Sequence, residues 1–377
     1  MNCEPSFVRS AVRTIGVTPS GTGPHGGPYL AWLWLFLVAF GMYGVSAVQA
    51  DEITTSTDHF RKIKIVDYAY GQIRFRQPSG DLTGISILDV HALLVDTVGG
   101  VSDLNQAEIY IDKGRPAQAV LRYQRSLRST TGFWKELVRV RLLQACDRAG
   151  YLDKTVAHWL IVLKRDPALA AELLPGSIPP TRTRAVSRAL SDLEAAQAKT
   201  TDKPARRLMD LLRFSIYRRL GENVADDLAA RVAVCPLTGP IATVPAYGIK
   251  TDALRRVFQM KRSRQVLTGL DAAIEDCPAA SLPDLLLLKG EVLSATARHR
   301  EDYIRSGWAF MRVAIHFPDD PRAARALLEA ARVHEKIDAP EKAAELLREC
   351  LAVESSDAET RAAADAALKR LTERLGS

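Results

Sequence analysis

The chain has 377 residues, of which 47% are hydrophobic and 25% charged, with 51 Lys or Arg against 44 Asp or Glu. Such usage supplies two or three packed domains and excludes wholesale disorder. The mild basic excess implies a solvated surface of both signs, and without zinc-finger spacing or interleaved aromatics it argues against nucleic acid as a partner.

Residues 28–50 read PYLAWLWLFLVAFGMYGVSAVQA, an uncharged run preceded by Arg9 and Arg13 and followed at once by Asp51 and Glu52. Small residues close it at Val48 and Ala50, the positions a signal peptidase reads, so cleavage after Ala50 and a periplasmic or secreted protein are expected. The alternative is an inner-membrane anchor over residues 29–48, since the run is also long enough to span a bilayer. Gly21, Gly23 and Gly26 match a dinucleotide-binding pattern. They precede the run, however, with no strand ahead and no βαβ unit around them, and the match is discounted.

Residues 51–60 are polar and rich in Thr, which predicts a flexible entry. Apolar residues then recur at period two in 62–65, 72–76, 84–87 and 92–95, around turns near Tyr70-Gly71 and Pro78 to Asp81. Residues 51–97 therefore read as a small β module of three to five strands, an antiparallel sheet or barrel. So short a module lacks the core to stand alone and should dock on the helical part or on a partner.

From Val101 the period becomes helical, with Pro- and Gly-marked loops at 167–181 and 235–250. Offsets of three, seven, twelve, sixteen and twenty from Ala107 give Tyr110, Gly114, Ala119, Tyr123 and Leu127. From Leu143 they give Cys146, Gly150, Thr155, Trp159 and Leu163, and from Ala331 they give His334, Asp338, Ala343, Leu347 and Leu351. Two helices joined by a tight turn need a turn residue and small side chains where they cross. The positions resemble the tetratricopeptide repeat family, well over 98–167 and in 321–355, and more poorly over 168–280. The expected fold class is mainly α: a solenoid of helical hairpins preceded by the β module and the signal or transmembrane segment, with residues 281–377 as C-terminal hairpins and a capping helix. Asp320 before Pro321, Asp338 with Glu341, and Ser356 with Glu359 are predicted helix starts.

Residues 181–274 hold 17 Lys or Arg against 9 Asp or Glu, so the middle of the chain is its basic part. An anionic membrane surface or an acidic protein face suits it. Cys146 and Cys350 fall on apolar helical faces as core residues. Cys235 and Cys277, each before a proline at a helix end, are the one pair whose bridging merits a test.

No P-loop, nucleophile elbow or His-Glu-x-x-His pair is present, and none of the seven histidines lies three or four residues from another His or a Cys. No catalytic residue, cofactor, metal or small-molecule substrate is expected. The family resemblance implies binding of a protein partner on a concave face lined by first helices. Carried over residue by residue, it marks Glu108, Asp112, Gln144, Asp147, Arg148, Arg332, Glu335 and Lys336 as groove positions. The expected function is a non-enzymatic scaffold or adaptor of the cell envelope. The alternative is a membrane-anchored accessory or regulatory subunit of a cell-wall or secreted enzyme. An enzyme in its own right would need a pocket joining His299, His316 or His334 to carboxylates.

Overall fold

Alternating side chains build the first five elements. The computed structural model describes residues 50–96 and 101–376, so the apolar run and the discounted glycine pattern lie outside the described residues. Strands β1 (Asp51–Thr55), β2 (His59–Ala69), β3 (Gln72–Arg76), β4 (Leu82–Ser86) and β5 (Val90–Leu94) form an antiparallel sheet in the order β4-β3-β2-β1-β5. Tyr70 and Gly71, at φ 51° and 72°, make the two-residue turn that joins β2 to β3. Ile63, Ile65, Ile73, Phe75 and Leu93 are buried on one face. A bulge between Ile65 and Asp67 shifts the parity of β2, which is why Tyr68 is the next residue inward.

Residues 51–55 are no flexible entry. They form β1, which lies between β2 and β5, with Ile53 fully buried and Asp51 and Thr55 turned inward beside it. The threonines that suggested a loop are β-branched and suit a pleated, half-buried surface. Asp51 completes the strand end, accepting hydrogen bonds from the backbone N–H of Ile65 at 2.8 Å and of Asp96 at 2.9 Å.

Helices follow in pairs: α1 (Val101–Asp112) with α2 (Pro116–Ser129), and α3 (Gly132–Arg148) with α4 (Leu152–Arg165). The short α5 (Pro167–Glu172) and α6 (Arg184–Lys199) break the rhythm. It resumes with α7 (Lys203–Leu220) and α8 (Val224–Val234), α9 (Val244–Gln259) and α10 (Ser263–Asp276), and α11 (Leu282–Thr296) and α12 (Arg300–His316). The last pair is α13 (Arg322–Lys336) and α14 (Pro340–Ala352), followed by α15 (Ala358–Gly376). Among the described residues no helix is long and apolar enough to cross a membrane.

The predicted hairpin register holds where the pattern is strong. Gly114, Gly150 and Asp338 all adopt positive φ, at 66°, 72° and 57°, and end the first helix of their pairs in a left-handed turn. Five residues on, Ala119, Thr155 and Ala343 are fully buried, as are Tyr123, Trp159 and Leu347 four residues further. Gly221 and Lys261 play the same turn role in the poorly matching middle, at φ 71° and 58°.

Two expected helix starts move. Asp338 occupies the left-handed turn, so it cannot cap α14, and Asp357 rather than Ser356 accepts from the N–H of Thr360 at the start of α15. Asp320 does bind the N–H of Arg322, at 2.9 Å. A reciprocal cap that was not foreseen joins His299 and Asp302 at the start of α12.

The sheet shares one hydrophobic core with the helices through α11, as its size required. A second core runs from α11 to α15. Helix α11 is the joint: Leu285, Leu288 and Val292 serve the first core while Leu286 and Leu287 serve the second. Gly290 lies in the same helix because a Cβ there would sit 2.5 Å from the ring of the buried Phe310 of α12.

Candidate protein-binding surface

First helices follow one another along one side of the stack, with α7 against α9, α9 against α11, α11 against α13 and α13 against α15. Ion pairs step across them. Arg218 of α7 pairs with Asp252 of α9 at 2.9 Å, Arg325 of α13 with Glu291 of α11 at 2.7 Å, and Arg370 of α15 with Glu335 of α13 at 2.9 Å. Exposed pairs of this kind are worth little each, about 0–1 kcal/mol, and they fix partners more than they stabilise.

Each sequence-predicted position can now be placed. Asp112 and Arg148 are exposed and find no ion-pair partner among the described residues. Arg332 is exposed and held by Glu329 at 2.6 Å, and Glu335 is tied to Arg370. Lys336 reaches Ser294 Oγ at 3.2 Å and lies over the Tyr303 ring at 5.3 Å. Half-buried Gln144 accepts from Arg141. Asp147 accepts from the N–H groups of Gly176 and Ser177, which pins the loop after α5. Burial raises the Asp147 pKa against those two hydrogen bonds.

Glu108 is not a groove residue. It is 1% exposed, where its Oε1 accepts from Tyr123 Oη at 2.6 Å and Arg141 Nε at 2.9 Å. Its Oε2 accepts from Arg141 Nη2 and from the N–H of Leu93 at 3.2 Å. Arg141 donates onward to the carbonyl oxygens of Val90 at 2.9 Å and His91 at 3.1 Å. Burial opposes the Arg141 charge, yet Glu108 and Tyr123 beside it hold the guanidinium protonated above its ordinary range. Asn105 completes the arrangement by binding both the N–H and the C=O of Val95. Side chains of α1 and α3 thus stand where a sixth strand would pair with β5, which removes a sticky sheet edge. A carboxylate on a first helix reads as a groove position in sequence; only the packing of the sheet turns it inward.

The basic middle keeps its charge in the fold. Glu194, Asp210, Glu222, Asp226, Asp252 and Asp271 are each bound to a cation, and Asp202 caps α7. Among the described residues Arg184, Lys199, Lys203, Arg206, Arg207, Arg219, Arg255, Lys261, Arg262 and Arg264 find no ion-pair partner, against Asp192 and Asp227 among the acids. Arg219 lines a cleft of about 590 Å³ with Gly150, Ile178, Ser215 and Arg218. Arg218 also lines a neighbouring cleft of about 320 Å³ with Arg255 and Arg256. Lys250 escaped the sequence reading: it is buried, donates to the carbonyl of Cys235 at 2.7 Å, and closes the end of α8.

Burial lowers the pKa of His158, helped by Arg139 and Lys154, and that of His334, helped by Lys342. Burial pushes the Cys146 thiol up to about 12, consistent with a core residue, and Cys350 is buried likewise. Cys235 and Cys277 do end α8 and α10, and both are free thiols. Among the described residues no three His, Cys, Asp or Glu side chains converge as a metal site would require.

No protein-family model and no curated protein sequence matches the chain. Among solved structures the TPR domain of P58(IPK) is similar over 73% of this chain and 79% of that one, at 15% identity and a TM-score of 0.25. A likeness that low adds nothing to the hairpin geometry, which stands by itself. The chain is a stack of helical hairpins with a five-stranded sheet docked on its first hairpins.

Proposed function

We propose that this protein is a non-enzymatic scaffold that holds an acidic face of a partner protein on the first-helix side of its basic middle. The observation that carries the reading is that Arg219 and Arg255, two of the cations between Arg184 and Arg264 that find no ion-pair partner among the described residues, line two adjoining clefts that share Arg218. Ion pairing inside the fold consumes the acids there and leaves the surface charge uncompensated, which favours an anionic partner and speeds its encounter. The clefts favour a protein segment over a flat membrane. Asp112, Arg148, Arg332 and Lys336 extend the same side towards both ends of the stack, while Glu108 serves the core and Asp147 its loop. Residues 28–50 support a setting in the cell envelope, by export or by anchoring.

Photo-crosslinking from positions 148 and 219 in living cells, followed by mass spectrometry, tests the reading. An acidic protein captured at both positions and not from the outward sheet position 74 is expected. Capture from position 74 alone would place binding on the β module instead.

A further inference from the structure

The opposite side of the C-terminal repeats carries a surface of different chemistry. Helix α12 buries Ser306, Ala309, Phe310 and Val313 against its neighbours α11 and α13. On its far face Ile304 is 39% exposed, Trp308 66% and Ile315 60%, with the half-buried Met311 between them. These four are spaced by four, three and four residues, so they form one unbroken apolar row roughly 16 Å long. Single exposed apolar residues are ordinary, whereas a contiguous row that includes a tryptophan marks a contact surface. The row opens at its C-terminal end into a groove of about 630 Å³, floored by Ala314, Leu327 and Val353 and rimmed by Asp319, Glu349 and Glu354. All three rim carboxylates are exposed, and none has an ion-pair partner among the described residues. Arg305 and Arg312 lie on the other flank of the row, about 80–100° round the helix.

We infer that this row and groove form a docking site for an amphipathic helix of a partner protein, its apolar face on Trp308 and Ile315 and a basic flank against Asp319, Glu349 and Glu354. A linear row at helical spacing is the complement of a second helix, whose own side chains at i, i+3 or i+4, and i+7 interdigitate with it. The charge pattern selects the occupant. A second copy of this chain, docked symmetrically by the same groove, would bring three carboxylates against three, whereas a basic flank neutralises them and an acidic one is repelled. Trp308 is the expected anchor, being the largest exposed apolar side chain at the centre of the row. The site is built mainly on the second helices α12 and α14, with Leu327 of α13 in its floor, and shares no residue with the basic clefts, so the protein would hold an acidic partner at one place and a basic helix at another.

Two labelled synthetic helices test the inference by fluorescence anisotropy with the full chain. Both carry the same leucine face; one is flanked by lysines and its twin by glutamates. The lysine peptide is expected to bind at least about tenfold tighter than the glutamate twin, and Trp308→Ser to weaken it about tenfold or more. Glu349→Lys with Glu354→Lys should reverse the order of the two peptides, a change that general stickiness would not produce. All these side chains are exposed, so an unchanged melting temperature confirms that the fold is kept. Equal binding of the twins, or an order that survives the double reversal, would overturn the inference. Concentration-dependent self-association of the peptide-free protein that Trp308→Ser abolishes would also overturn it, by assigning the face to a second copy.

Discussion

The junction between the sheet and the first hairpins differs from the C-terminal core in how each is held. At the junction a buried carboxylate and guanidinium, Glu108 and Arg141, bond to each other, to Tyr123 and to three backbone groups of β5. The C-terminal core is small and apolar instead, with Ala324, Ala326, Ala330, Ala331 and Ala343 where helices cross, and its charges stay at the surface. A sheet edge presents fixed polar groups that need partners of fixed geometry, and helix crossings need only close approach. The first task calls for charged side chains from separated positions; the second is met by small residues at regular spacing.

The largest expected effect follows from that contrast. Glu108→Ala leaves Arg141 buried without its counter-charge and should cost about 3–5 kcal/mol, while Glu335→Ala at the exposed C-terminal pair should cost under about 1 kcal/mol. Denaturant unfolding of the two variants compares them directly. Replacing Glu108 and Arg141 together by leucine should not restore stability, because Leu93, Val90 and His91 lose their partners at about 1–3 kcal/mol for each group left unsatisfied. A near-neutral double variant would show that the edge of β5 does not depend on the pair.

Gly290→Ala probes the joint between the two cores. The added methyl group meets the Phe310 ring, and a cost of about 1–3 kcal/mol from overpacking is expected, read as a lower unfolding midpoint. A smaller change of opposite sign is expected at Lys261, whose φ of 58° is strained for a side chain. Lys261→Gly should stabilise by about 0.5–1 kcal/mol, since relief of that strain outweighs the added chain entropy.

The smallest effect concerns pH, and it touches both regions. Burial lowers the pKa of His158 near the first core and of His334 near the second, so the native state favours both imidazoles neutral. Above the ordinary value near 6.5 their contribution is complete. As pH falls below it the unfolded chain takes up protons first and stability declines, until the native imidazoles also protonate. His158→Gln with His334→Gln should flatten the melting temperature over that window, and a slope that persists would assign it to carboxylates.

How much of this was legible in sequence follows the same divide. Turns and crossings carry local signals: a glycine or aspartate that tolerates positive φ at Gly114, Gly150 and Asp338, and small or aromatic residues at fixed distances beyond. They appear at the expected positions, and the alternation of β2 to β5 is equally plain. Glu108 was missed because its partner lies 33 residues away in α3 and its purpose in a third element, so no window of sequence contains the reason. Asp147 looked like groove and is a loop clamp for the same cause. Strand β1 was missed because threonine and aspartate serve loops and strand ends alike. Counting charges located the basic middle, but only the ion pairs show which cations remain free.

The proposed binding side is tested most directly by association kinetics with the partner captured from positions 148 and 219. Arg219→Glu with Arg255→Glu should slow association about tenfold at low salt, with the difference from the unaltered protein closing at high salt and the melting temperature unchanged. Deleting the sheet would expose the Glu108 and Arg141 pair and unfold its neighbours, so the comparison is Lys64→Glu with Arg74→Glu on the outward sheet face, which should leave both rates as they are. Association that is slowed by the sheet variant and indifferent to Arg219 and Arg255 would contradict binding by the helical stack.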